Sequence, residues 1–85
     1  MSWRSWVIPY TTKRQKNFIL RLLKKHNELL PFELFFIKDS ELSARATNEH
    51  SKVISFLQEG WQDETISFLE KELLQVGLGL FVDEC

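Results

Sequence analysis

The chain has 85 residues, 44% of them hydrophobic and 13% aromatic, with three glycines, two prolines and a formal net charge of −1. That is one domain's worth of sequence (1–85), too apolar and too poor in turn formers for a disordered or loop-rich chain. Its lone cysteine, Cys85, excludes an internal disulfide framework.

The charge is sorted along the chain. Residues 1–27 hold Arg4, Lys13, Arg14, Lys16, Arg21, Lys24 and Lys25 and no acidic residue; all twelve acidic residues and the other four basic ones follow, so +7 precedes −8. Such a division implies two partners of opposite sign, or a fold that closes on itself.

Residues 2–10 read as a strand, with Trp3, Ser5 and Val7 on one face and Arg4, Trp6, Ile8 and Tyr10 on the other. Pro9 lacks a donor and marks its end. Thr11 or Thr12 caps a helix running to about Asn27. Phe18, Ile19, Leu22, Leu23 and Leu29 gather on its core face with His26, and Arg14, Arg21, Lys24 and Lys25 on the opposite flank; Leu20 points outward. Pro31 breaks the helix. Residues 32–38 follow as a strand with Leu34 and Phe36 on one face and Phe35 and Ile37 on the other, which places it in the middle of a sheet covered on both sides. Strand, helix and strand then form a parallel βαβ unit with a right-handed crossover.

Residues 40–60 allow two readings. Leu42, Ala46, His50, Val53, Leu57 and Trp61 form a continuous helical stripe, so one helix spans about 41–59, or a shorter one starts at Thr47 or Asn48. Gly60 stops it. Asp63 caps a further helix with Ile66, Leu69, Leu73 and Val76 as its buried stripe and Gly77 just past its end. Residues 78–82 read as a short last strand before the acidic Asp83-Glu84-Cys85. The predicted fold is a small α/β (α+β) domain, β-α-β-α-α-β, with a three-stranded sheet. The alternative takes 52–58 as a strand and gives the ferredoxin-like order β-α-β-β-α-β. Val53, Ile54, Phe56 and Leu57 are spaced i, i+1, i+3, i+4, which favours helix. In element order alone the first half is loosely similar to thioredoxin-like and ferredoxin-like proteins; the redox cysteine pair of the former is missing.

No targeting segment is read, and the longest apolar run, 29–37, is interrupted by Pro31 and Glu33 and falls short of the roughly 18 residues of a membrane span. The expectation is a soluble, cytoplasmic protein with no membrane partner. His26 and His50 lack the spacing of a metal pair, no GxSxG turn or glycine-rich phosphate loop is present, and carboxylates adjacent along a helix diverge. No enzyme activity, metal or cofactor is therefore expected.

What remains is binding. The leading expectation is a protein-interaction module (inhibitor, adaptor or accessory subunit). Its basic flank (Arg14, Arg21, Lys24, Lys25) meets an acidic partner and its acidic helix (Asp63, Glu64, Glu70, Glu72) a basic one, with a homodimer possible through the sheet edge near Leu80. The alternative is single-stranded nucleic-acid binding through Arg4, Trp6, Tyr10, Lys13, Arg14 and Lys16, which interleave aromatic and basic groups. The near-zero net charge opposes it.

Overall fold

A computed structural model describes residues 2–44 and 49–82, and their side chains except at 42–44 and 49–51. The expected positions of Ala46, Thr47, Asn48 and the acidic tail lie outside the described residues, as do the side chains of His50 and Cys85. The elements run β1 (Trp3–Tyr10), α1 (Lys13–Leu29), β2 (Phe35–Ala44), β3 (Glu49–Glu59), α2 (Asp63–Leu74) and β4 (Phe81–Val82). The fold is thus α+β with two helices and a four-stranded sheet, not three helices over three strands. The element order is the one the sequence left as its alternative.

The sheet order is β2-β3-β1-β4, with every neighbouring pair antiparallel. Since β1 and β2 are each antiparallel to β3, they run parallel to one another with β3 between them. The expected adjacent βαβ pair is therefore split. The expected helix over 41–59 is replaced by the end of β2 and all of β3. Val53, Ile54 and Phe56 suit a pleated surface, and a central strand with apolar groups on both faces loses its period-two signature.

Both helices lie on one face of the sheet. Trp6, Ile8 and Tyr10 of β1 and Ile54 and Phe56 of β3 pack against Ile19, Leu22 and Leu23 of α1 and Leu69 and Leu73 of α2. Full burial of such aliphatic and aromatic side chains contributes about 1.5–3 kcal/mol each. Thr12 caps α1 through a capping box: its hydroxyl accepts from the Gln15 N–H, and the Gln15 side chain accepts from the Thr12 N–H. Leu29, expected on the core face, is exposed beyond the helix's last buried residue, His26.

Gln62, not Asp63, is the N-cap of α2; Asp63 opens the helix, and its carboxylate accepts from Trp61 Nε1 at 2.8 Å. The buried stripe of α2 is Thr65, Leu69 and Leu73, with Ile66 half-buried and Val76 exposed. Gly77, at φ 73°, closes a Schellman turn in which Leu78 N–H reaches Leu73 C=O and Gly77 N–H reaches Leu74 C=O. Gly60, at φ 75°, ends β3, and its N–H donates to the Ser2 carbonyl at 2.7 Å, tying the end of β3 to the start of β1.

The largest departure from expectation is β2. It starts at Phe35 rather than Phe32 and lies at the sheet's edge, not its middle. Phe35, Phe36 and Ile37 are all exposed, and only Leu34 of the run is buried. Between Phe35 (opposite Leu57) and Lys38 (opposite Ser55) the pairing gains one residue on β2, a bulge that holds Phe36 at φ 52°. A one-residue insertion inverts the alternation. Phe35 and Lys38 consequently share the face away from the helices, and Asp39, opposite Ile54, turns to the helix side. Among the described residues no helix is long and apolar enough to cross a membrane.

Candidate interaction surfaces

With both helices on one side, the other sheet face has no described element over it. Directly opposed residues of an antiparallel ladder share a face. The register therefore assembles Trp3, Val7 and Pro9 of β1, Val53 and Leu57 of β3, Phe35 of β2 and Phe81 of β4 on this side. Val7 and Val53 are buried, whereas Trp3 is 50%, Phe81 56% and Phe35 36% exposed. Trp3 and Phe35 meet edge to face with centroids 5.7 Å apart. The Trp3-Ser5-Val7 side was legible from alternation alone. The contributions of Phe35 and Phe81 were not, because they depend on a bulge and on a two-residue strand.

Arg14, Arg21, Lys24 and Lys25 are all exposed on α1. At 100° per residue Arg14, Arg21 and Lys25 fall in one row, with Lys24 about 80° away. The acidic set of α2 is divided. Asp63 and Glu70 share one side, Glu64 lies about 100° from Asp63, and Glu72 is on the opposite side, where it lines a groove between the helices with Phe18, Arg21, Leu22 and Lys25. Among the described residues the salt bridge is Lys16 to Asp39 at 2.7 Å, with none between the basic row of α1 and the acids of α2.

The aromatic-basic set of β1 and α1 is not displayed as one surface. Trp6 and Tyr10 are core residues. Arg4 lies over the Trp61 ring at 5.3 Å, and Trp61 packs on Trp6 with centroids 5.3 Å apart. Lys13 and Arg14 are exposed, and Lys16 is tied to Asp39.

Two polar clusters were invisible in the sequence. At the end of β1, the Tyr10 hydroxyl donates to Asp39 Oδ1 at 2.6 Å while Lys16 holds Asp39 Oδ2. The bond to Asp39, with burial, pushes the Tyr10 phenol up to about 12, and Lys16 and Tyr10 together hold the Asp39 carboxyl below its usual range.

In the core, His26 Nε2 pairs with Thr65 Oγ1 at 2.8 Å, and Gln58 Nε2 donates to the same oxygen at 2.9 Å and to the Phe32 carbonyl at 3.1 Å. Asn27 fixes the histidine tautomer. Its amide pairs with both backbone groups of Leu34, so its Oδ1 accepts from His26 Nδ1 at 3.1 Å. Nε2 is then an acceptor for the Thr65 hydroxyl. Burial lowers the His26 pKa, with the Asn27 bond opposing.

Among the described residues no three His, Cys, Asp or Glu side chains are grouped to hold a metal ion. Compared with protein-family models, curated proteins and solved structures, the chain matches none.

Proposed function

We propose that this small α+β domain is a non-enzymatic protein-interaction module, an inhibitor, adaptor or accessory subunit, that docks a partner protein on the helix-free face of its sheet. The observation that carries the reading is the exposure of Trp3, Phe35 and Phe81 on that single face. At about 200 Å² per aromatic side chain they leave roughly 300 Å² of ring surface in water, the size of the functional patches found on monomeric proteins. Covering it contributes on the order of 7 kcal/mol before the costs of association. The basic row of α1, unpaired with the acids of α2 among the described residues, leaves charge free to steer the encounter.

The test is capture of a partner from the cells of origin by the tagged chain and its variants. Trp3→Glu and Phe81→Glu are expected to weaken capture by about 30-fold or more, as loss of an aromatic anchor does. Leu74→Glu, an equally large change at an exposed site on α2, is expected to leave it intact. Equal behaviour of the three variants would refute the proposal. Light scattering on the purified chain identifies the case in which the partner is a second copy.

A further inference from the structure

The helix-free face of the sheet is poor in charge. The chain is 27% charged, yet among the described side chains that the register sets on this face only Lys38 and Glu59 carry charge, one of each sign. Both stand at its border, Lys38 on the edge strand β2 and Glu59 at the last residue of β3. Val7, Val53, Ser55 and Leu57 occupy the middle. An uncharged middle inside a border that carries the charge is interface anatomy, and a face with no net charge selects no partner by sign.

The face is also complementary to itself. Sheets pack face to face about 10 Å apart with their strands nearly aligned, and two copies related by a two-fold axis bury the same residues. An axis between the two sheets, parallel to the strands and midway between β3 and β1, exchanges β3 with β1 and β2 with β4. It keeps each residue at its level along the strands. Lys38 and Phe81 are level, because Lys38 pairs with Ser55, Ser55 with Val7 and Val7 with Phe81. Lys38 of one copy therefore lies over the Phe81 ring of the other, a cation–π arrangement. Glu59, paired with Trp3 in its own sheet, lies over the second copy's Trp3, whose indole N–H is a donor for the carboxylate. Neither charge meets its like, and both Trp3 and Phe81 face a flexible charged chain.

The area suffices. At about 3.3 Å per residue and 4.8 Å between strands, the four strands present a footprint of about 500 Å². Two copies cover about 1,000 Å² in flat projection, the threshold of a specific interface, before the relief of the side chains is counted. We infer that the occupant of the helix-free face is a second copy of this chain, in a two-fold dimer with sheets inside and helices outside. The inference rests on the docking face proposed above and names its partner.

The experiment is sedimentation equilibrium of the purified full chain from about 1 to 200 μM, which brackets the dissociation constant of about 10 μM expected of an interface at the lower end of the size range. The dimer has twice the chain's 10.1 kDa. Phe81→Lys sets two lysines against each other across the axis and is expected to weaken the dimer by about 30-fold or more. Adding Lys38→Glu to that variant restores an opposite-charge pair and is expected to recover at least about 10-fold of the loss. Within one copy Lys38 and Phe81 stand three strand spacings apart, about 14 Å, so the recovery reads a contact between copies. Both positions are exposed, and circular dichroism checks that the variants fold; Leu74→Glu is expected to leave the dimer unchanged. The inference is overturned by a monomer across the whole concentration range, by a dimer that Phe81→Lys and Trp3→Glu leave intact, or by no recovery in the double variant. A monomeric chain whose capture of another protein is lost in Trp3→Glu refutes the occupant and keeps the docking face. A dimer that both variants leave intact, with capture equally unmoved, takes the docking face down as well.

Discussion

Replacing Thr65 by valine keeps the side chain's shape and removes only its hydroxyl. That hydroxyl, in a side chain 1% exposed, donates to His26 Nε2 and accepts from Gln58 Nε2. Gln58 retains the Phe32 carbonyl, so its loss is one neutral hydrogen bond, about 1 kcal/mol. His26 fares worse: its ring is fully buried, and Nε2 becomes an orphaned acceptor at about 1–2 kcal/mol. The sum is about 2–3 kcal/mol, a large fraction of the roughly 4–13 kcal/mol available to a domain this size and about 10–20 °C in melting temperature. Thr65→Ser keeps the hydroxyl and loses a methyl group, for about 1 kcal/mol. Urea denaturation of the three proteins should therefore rank threonine above serine above valine. Valine equal to or better than serine would refute the network.

The same assay has a pH arm. The His26 pKa lies below its ordinary value of 6.5 in the folded chain, so below about 6.5 the unfolded chain binds a proton the folded chain refuses. Stability is full above pH 6.5 and is lost as pH falls toward the folded value, with a slope of at most about 1.4 kcal/mol per unit. His26→Gln should flatten that slope, and an unchanged slope would remove His26 from the account.

Other outcomes follow from the bulge and the tyrosine. Phe36 occupies a left-handed conformation at φ 52° with its ring 76% exposed. Relief of about 1–2 kcal/mol of strain outweighs the extra chain entropy of glycine, about 0.5–1 kcal/mol. Phe36→Gly should therefore match or exceed the parent in denaturant midpoint, whereas β-branched Phe36→Val should fall below it; glycine below valine would contradict the bulge. Tyr10 is the chain's single tyrosine, so ultraviolet titration reads it alone, with an expected midpoint of about 12 that drops in Asp39→Asn. Its raised pKa contributes stability that is whole below pH 10 and lost as pH rises toward 12, and a midpoint near 10 in the folded parent would exclude the Asp39 bond. With Trp6 and Tyr10 in the core and Lys16 paired, single-stranded DNA should not be retained at ~150 mM salt; retention lost in Arg14→Glu with Lys25→Glu would restore the nucleic-acid reading.

The parts of the fold that local rules govern were legible. The faces of β1 follow from alternation, α1 from its apolar stripe and its Thr12 cap, and the end of α2 from Gly77. The middle was not, because 42–61 carries a helical stripe by coincidence of spacing while β3 is a central strand whose two faces are both apolar. Nothing in Phe35-Phe36-Ile37 announces a bulge, since the left-handed position is filled by phenylalanine rather than glycine. Missing it hides the arrival of Asp39 beside Tyr10 and of Phe35 beside Trp3. Charge sorting was plain in the sequence, but it could not disclose that Glu72 faces the basic row while Asp63 and Glu70 face away.

The most direct test of the docking face is carbene footprinting of the chain alone and in complex with its captured partner. Labelling of Trp3, Phe35 and Phe81 should fall on complex formation while labelling of Leu74 and Leu29, exposed on the helices, stays constant. Protection of Leu74 and Leu29 with Trp3 and Phe81 still labelled would place the partner on the helix layer and contradict the account.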